Sequence, residues 1–186
     1  ELTLDTQTAD VTYRFAPRGR VFGAAGASGL NQGNANGASG TLIPNFRSVT
    51  GGAFAHGTVL ATDRLTLEAG ARLDGRWQQA FPYDFAQRDY DRRVDTWTGP
   101  SLAAGAIYTL ADAWSLAANA GTAWRPPGVN ELFSFGVHHG TAQFERGNAD
   151  LAAERSLDLS ATLRHESAFA SAEVSAYRNR ISDFVY

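Results

Sequence analysis

Leu65-Thr66-Leu67-Glu68-Ala69-Gly70-Ala71-Arg72-Leu73-Asp74 alternates without interruption. Successive side chains of an extended chain point to opposite faces. Leu65, Leu67, Ala69, Ala71 and Leu73 therefore share one face, and Thr66, Glu68, Gly70, Arg72 and Asp74 share the other. A helix would mix the two sets, whereas a strand separates a greasy face from a charged one. The same period returns further along. Trp114, Leu116, Ala118, Ala120 and Trp124 stand opposite Ser115, Asn119, Gly121 and Arg125. Leu157, Leu159, Ala161 and Leu163 stand opposite Asp158, Ser160, Thr162 and Arg164.

Extended from these segments, the pattern predicts eight strands, at 2–16, 20–30, 46–60, 64–79, 97–110, 114–125, 155–166 and 169–184. Their connections alternate. Residues 17–19, 61–63, 111–113 and 167–168 are tight, while 31–45, 80–96 and the stretch from Trp124 to Glu154 are long. In an up-and-down antiparallel sheet every second connection lies at the same end, so one rim carries the long loops and the other the tight turns. That asymmetry belongs to outer-membrane barrels.

Trp114 and Trp124 share a face, about 33 Å apart along a strand. At a tilt of about 40° this projects to roughly 25 Å, the height of the apolar band between two aromatic belts. Phe15, Phe22, Tyr108 and Phe169 are then expected at the tight-turn belt, with Phe46 and Trp77 at the other. Trp97 has the wrong parity unless Pro100 marks a bulge. In the last strand Arg178 and Arg180 continue the parity of Ala170, Ala172, Val174 and Ala176, which predicts a bulge or an exit from the membrane near Tyr177. The expected class is all-β, an antiparallel up-and-down transmembrane β-barrel segment of about eight strands from a larger barrel. One rival is a complete small eight-stranded barrel with a structural or adhesive role. The other is a soluble, carbohydrate-binding β-sandwich module, whose strands also alternate but run shorter.

Composition sets further bounds. The 186 residues contain no Met, Cys or Lys, and all 16 basic residues are Arg against 19 acids. A chain without Met is expected to be processed or cut from something longer. The absence of Cys excludes disulfides and thiolate metal sites. A net charge of −3 argues against a strongly basic nucleic-acid surface. No run approaches eighteen apolar residues and no N-terminal signal peptide is visible. Hydropathy averages are nearly blind to barrels, so the mean of −0.26 decides nothing.

The stretch from Trp124 to Glu154 breaks the period of two. Arg125-Pro126-Pro127 ends a strand because proline removes ladder donors, and the following thirty or so residues are too long for an ordinary connection. His138 and His139 invite a metal, with Glu145 or Asp150 as oxygen donors. Adjacent residues of an extended chain point apart, so both imidazoles reach one ion only if the loop turns between them. His138, His139, Glu145 and Arg146 are the candidate ligand-binding residues, the two histidines doubling as metal candidates. Other charged sets read as structural. Glu68 and Asp74 with Arg72 and Arg76 form an inward charge ladder. Asp84, Asp89, Asp91 and Asp95 with Arg88, Arg92 and Arg93 form a mixed-charge loop that could meet lipopolysaccharide or cations. His56 and His165 lie near strand ends. Glycines 23, 26 and 29 ease packing, and no catalytic constellation is present, so an enzyme is not expected.

Trp124-Arg125-Pro126-Pro127, Glu131-Leu132-Phe133, Gly136-Val137-His138, Phe144-Glu145, Gly147-Asn148, Leu151 and Glu154-Arg155 together resemble the run found in TonB-dependent outer-membrane receptors. Residues 177–186 resemble the next strand of those barrels, and Glu68 to Asp74 an earlier one. The resemblance implies that residues 1–186 are a partial receptor barrel, with plug domain, TonB box and signal peptide outside this chain. Arg125, Pro126, Pro127, Glu131, Leu132, Phe133, Gly147 and Asn148 would be structural motif residues. The implied function is TonB-energised uptake of a scarce metal or chelate, namely zinc, haem or a ferric siderophore, with the histidine pair leaning toward zinc or haem. The implied partners are outer-membrane lipid and lipopolysaccharide, TonB through the missing plug, and the rest of the barrel, in the Gram-negative outer membrane. A segment with two unpaired edges is not expected to fold alone in lipid.

Overall fold

The structure, a computed structural model, describes residues 2–36, 42–84, 89–138, 140 and 142–185. Its long strands are β1 (Leu2–Arg18), β2 (Val21–Asn36), β3 (Asn45–Leu60), β4 (Leu65–Phe81), β7 (Arg93–Ala111), β8 (Trp114–Arg125), β11 (Glu154–Glu166) and β12 (Ser171–Ser182). Two short pairs lie in the long connections: β5 (Tyr83–Asp84) with β6 (Asp89–Tyr90), and β9 (Phe135–His138) with β10 (Gln143–Arg146), the latter preceded by helix α1 (Val129–Phe133). The eight long strands form one antiparallel sheet in chain order, β1-β2-β3-β4-β7-β8-β11-β12. Among the described residues β1 pairs only with β2 and β12 only with β11, so no pairing closes these eight strands on themselves.

The tight connections stand where alternation ends. Gly19 takes a left-handed φ of 61°, which a residue without Cβ adopts freely, and turns β1 into β2. Two irregularities in pairing, between Phe15 and Arg18 and between Thr109 and Ala111, lie at this same rim. No bulge forms at Pro100 or near Tyr177, so of the two readings given for Arg178 and Arg180 the unbroken register leaves the exit from the membrane. Pairing of β4 with β7 runs unbroken from Leu65↔Tyr108 to Ala80↔Arg93. Pro100 therefore shifts nothing, and Trp97, opposite Arg76, belongs to the polar face. Pairing of β11 with β12 is equally unbroken, so Arg178 and Arg180 lie opposite Leu159 and Leu157 on the apolar face.

Burial is inverted relative to a water-soluble sheet. Along β11 the apolar parity, Leu157, Leu159, Ala161 and Leu163, is exposed, while Asp158, Ser160 and Thr162 on the other face are half-buried. The buried apolar side chains among the described residues are Ala24, Ala80, Pro127, Val129 and Leu132, far too few for the core of a two-layer sandwich. The chain exposes 12808 Å², against about 8,700 Å² for a compact fold of this mass. A single curved layer with its greasy face outward accounts for both observations, because lipid takes the place of a core. The sandwich expectation is overturned by this geometry.

Only one aromatic belt is well formed. Tyr13, Phe15, Tyr108 and Trp114 stand exposed on the outer parity near the tight turns. Phe22 and Phe46 pair with Thr58 and Ala80 on the polar parity, so neither joins a belt. Trp124 departs as well. Its indole covers Gly99, where a Cβ on the side of Gly99's partner Asp74 would strike the ring. Trp77 keeps the outer parity at the long-loop end.

The facing assignment has a direct consequence. Ala161→Arg puts a charge on the lipid side and is expected to cost about 2–3 kcal/mol, whereas Ser160→Arg one residue away should cost well under about 1 kcal/mol. Urea titration of the full-length protein in lipid vesicles checks the difference.

Candidate functional site

The loop after β8 is organised by one guanidinium. Pairing places Arg125 opposite Glu154, the residues that open and close the loop. Arg125 Nε donates to Glu154 Oε2 at 2.7 Å, and Nη1 and Nη2 donate to the two carboxylate oxygens of Glu131, each at 2.9 Å. Such a fork demands arginine, since a lysine has neither the plane nor the paired donors. Glu131 in turn accepts the Gly128 N–H at 2.6 Å, fastening the first turn of α1. The other oxygen of Glu154 accepts the Val185 N–H at 2.7 Å, so the segment after β12 joins the same network.

The proline pair turns the chain inward. Pro127 is fully buried, and Val129 and Leu132 of α1 are buried against the sheet and loop. Gly147 then passes across the C-terminal end of α1. A Cβ there would lie 2.5–2.6 Å from the backbone of Leu132 and Phe133, so only glycine allows the approach. The crossing is held by Gly147 N–H to the Ser134 carbonyl at 2.7 Å and Asn148 N–H to the Glu131 carbonyl at 2.9 Å. Asn148 Oδ1 accepts the Asp150 N–H at 2.9 Å, turning the chain toward β11. The structural motif residues expected from the sequence thus fall in one scaffold.

Above the scaffold projects the β9–β10 hairpin, with Phe135 and Phe144 in edge contact at 5.0 Å. Position 138 pairs with Gln143 and Glu145 with Gly136. Glu145 and Arg146 both line an open cleft of about 690 Å³ with Glu131, Ser134, Asn148 and Val185. His139 and the side chain of His138 lie outside the described residues, as does Arg88 of the mixed-charge loop. Among the described residues no three of His, Cys, Asp and Glu gather to hold a metal ion.

A second cavity, about 470 Å³, separates the polar face of the sheet from α1 and is lined by Gln32, Asn34, Phe46, Arg76, Val129 and Asn130. Every strand residue in that group has the inward parity, so the loop folds over the concave side. Sequence reasoning placed Arg76 in a charge ladder but missed Asn34 and the Leu42–Ile43 segment. The signal was available in the rule that long loops share a rim. Arg76 Nη2 donates to Gln78 Oε1 at 2.7 Å, while Arg76 Nε, Gln78 Nε2 and Asn34 Oδ1 are buried without a hydrogen-bond partner among the described residues. Lower on the same face, Arg72 chelates Asp74, donates to Ser28 at 2.7 Å and lies 5.9 Å over the Phe54 ring. Arg164 pairs with Glu173 at 2.7 Å. Of the expected ladder Arg72–Asp74 forms, whereas Arg76 turns to Gln78 and Glu68 makes no ion pair among the described residues.

The Arg125 bonds hold the Glu131 carboxyl below the ordinary glutamate value of 4.5; burial opposes this, and the Gly128 N–H adds to it. A depressed pKa means that folding favours the ionised form. The stabilisation is complete above the unfolded value and is lost as pH falls through the lower folded value. Acidification below 4.5 is expected to release α1 and the Gly147 crossing, read as lost amide protection at Gly128 and Asn148. In Glu131→Gln that acid-dependent loss should be much smaller.

The sequence profile of the family described as "TonB dependent receptor-like, beta-barrel" matches residues 2–186. Among solved structures the chain is similar to the copper transporter OprC, at 20% identity over 98% of this chain and 30% of that one, with a TM-score of 0.76. It is similar to the Serratia marcescens hemophore receptor HasR, solved with its hemophore HasA and heme, at 17% identity over 98% and 33% with a TM-score of 0.74. The FrpB iron transporter from Neisseria meningitidis matches at 14% over 97% and 28%, with a TM-score of 0.72. At these identities the likeness establishes the fold, and the chain spans about a third of the length of the proteins it matches.

Proposed function

Because the chain belongs to the TonB-dependent receptor-like β-barrel family and is an outer-membrane protein, we propose that it supplies eight strands of a receptor's barrel for energised uptake of a scarce metal or metal chelate. Ferric siderophore, haem and zinc are the cargo classes. The observation that carries the reading is the inward fold of the Trp124–Glu154 loop, stapled by Arg125 over the polar face of the sheet, with a cavity lined by Gln32, Asn34, Arg76 and Asn130 between them. A loop held in this way presents β9–β10 to the outside and roofs the lumen beneath. His138, His139, Glu145 and Arg146 are proposed as ligand-capturing residues at the hairpin, the two histidines as contacts to metal or haem. The roles of a plug domain and of TonB, which would pull on it from the periplasm, are part of the proposal, as are the pairing of β1 and β12 with further strands and the absence of enzymatic activity. The similar proteins are named for copper, heme and iron, which supports a metal-linked cargo of this general kind.

The test is uptake by cells carrying the full-length receptor as their only route for each cargo. Zinc, haem and ferric siderophores are supplied singly under metal limitation. Growth on one of them that fails when His138 and His139 are both alanine supports the reading. No growth advantage on any of them would refute it.

A further inference from the structure

The cavity of about 470 Å³ between the sheet and α1 lies apart from the β9–β10 hairpin, and its lining carries charge of one sign. Arg76 is the only ionisable side chain there among the described residues. Around it stand three amides, Gln32, Asn34 and Asn130, with Phe46 and Val129 among the apolar groups. Without a carboxylate or imidazole in this lining, a bare metal cation has nothing to hold it. An anion does.

Arg76 belongs to β4, which is paired on both sides with β3 and β7, so its surroundings are not those of a sheet edge. Its cross-strand neighbours, Thr50 and Trp97, are uncharged. The acids nearby are engaged elsewhere. Asp74, two residues along the strand, is held by Arg72, and Glu131 of α1, whose charge acts on Arg76, is held by the Arg125 fork. Asp95, diagonal to Arg76 across β7, stands outside the cavity lining. The bond from Arg76 to fully buried Gln78 fixes the guanidinium in place, and a guanidinium presents paired donors that match the two oxygens of a carboxylate. Arg76 is 12 residues beyond Arg64 of the tight turn, which puts it roughly 30 Å up the wall, at the long-loop end. The volume falls within the range of small-molecule sites, about 300–1,000 Å³.

We propose that this cavity is a carboxylate-binding site. Arg76 takes the carboxylate, the amides of Gln32, Asn34 and Asn130 hydrogen-bond the polar groups beside it, and Phe46 and Val129 pack against the carbon skeleton. The occupant is an organic acid, either free or as the chelating part of a metal complex. Only the second source rests on the uptake reading.

The test is calorimetric titration of the full-length receptor in detergent, with citrate, its trimethyl ester and ferric citrate as probes. Citrate is expected to bind, and the ester, which keeps the skeleton without the charge, to bind about 10-fold more weakly or less. Arg76→Gln should weaken citrate binding on the order of 30-fold, the loss of one charge-assisted contact, and Arg76→Lys should recover part of it. Asn130→Asp, at an exposed position on α1, sets a like charge in the lining and should weaken binding comparably without touching β4. Arg164→Gln, on the same face near the tight turns, should bind as wild type does. Tighter binding of ferric citrate than of citrate assigns the site to a chelate, and equal binding assigns it to the free acid. Wild-type protein that binds no citrate, equal binding of citrate and ester, or the same loss in Arg164→Gln as in Arg76→Gln would overturn the proposal. Citrate binding that persists while no metal cargo is taken up would sink the uptake reading and leave the site standing.

Discussion

Arg125→Leu is expected to unfasten both ends of the loop while leaving the sheet intact. The substitution removes three charge-assisted hydrogen bonds and leaves Glu131 and Glu154 without their common cation. Arg125 is itself about half exposed at 48%, so solvent moderates the loss, and roughly 2 kcal/mol of local stability is the expected effect. Amide exchange should then speed up about 30-fold across α1 and at Val185, with no change in β3 and β4. Arg125→Lys should recover only part of this, because one ammonium cannot span two carboxylates with the same fork. An unchanged exchange pattern in Arg125→Leu would mean that buried Pro127 and Leu132 hold the loop without the ionic staple.

Gly147→Val is expected to have the larger effect. At 2.5–2.6 Å from the Leu132 carbonyl group and the Phe133 nitrogen, even the first added carbon meets backbone, which cannot rotate away. Either α1 or the strand leading from β10 must move, and the Ser134 and Glu131 carbonyls lose their partners. The cost is about 3 kcal/mol or more. Limited proteolysis of the full-length protein should show fast cleavage between β10 and β11, and cargo affinity should fall with it. Gly147→Ala should already show most of the effect. Wild-type protease resistance in the alanine variant would remove the close crossing from the account.

The eight long strands were legible because alternation is a property of each segment alone. Their ends were less so. β2 runs six residues beyond the expected Leu30, through Asn31, Gln32 and Asn34, since backbone pairing continues above the membrane after the apolar signal stops. The loop's interior was hidden for a different reason. α1 has five residues and β9 and β10 four each, too short for any period to show. The staple joins residues 6 and 29 positions apart, a relation that only the folded chain brings together. The resemblance of the motif pointed to Arg125, Glu131, Gly147 and Asn148 but gave no roles; geometry supplied them. Distance along the chain predicts the height of an aromatic side chain but not its face, and Phe22 and Phe46 fall on the polar one. Trp124 was misplaced because its contact with Gly99 comes from another strand.

The central claim is that the apolar face of this sheet meets lipid and its polar face lines a lumen beneath the Trp124–Glu154 loop. Since the chain has no cysteine of its own, single cysteines at each position from Ser156 to Leu163 can carry a nitroxide label in the full-length receptor in lipid vesicles. Relaxation by oxygen, which concentrates in lipid, should be strong at positions 157, 159, 161 and 163, and relaxation by a water-soluble nickel chelate should favour 156, 158, 160 and 162. The reverse alternation, or equal access of both reagents at every position, would contradict the barrel orientation on which the site and its function depend.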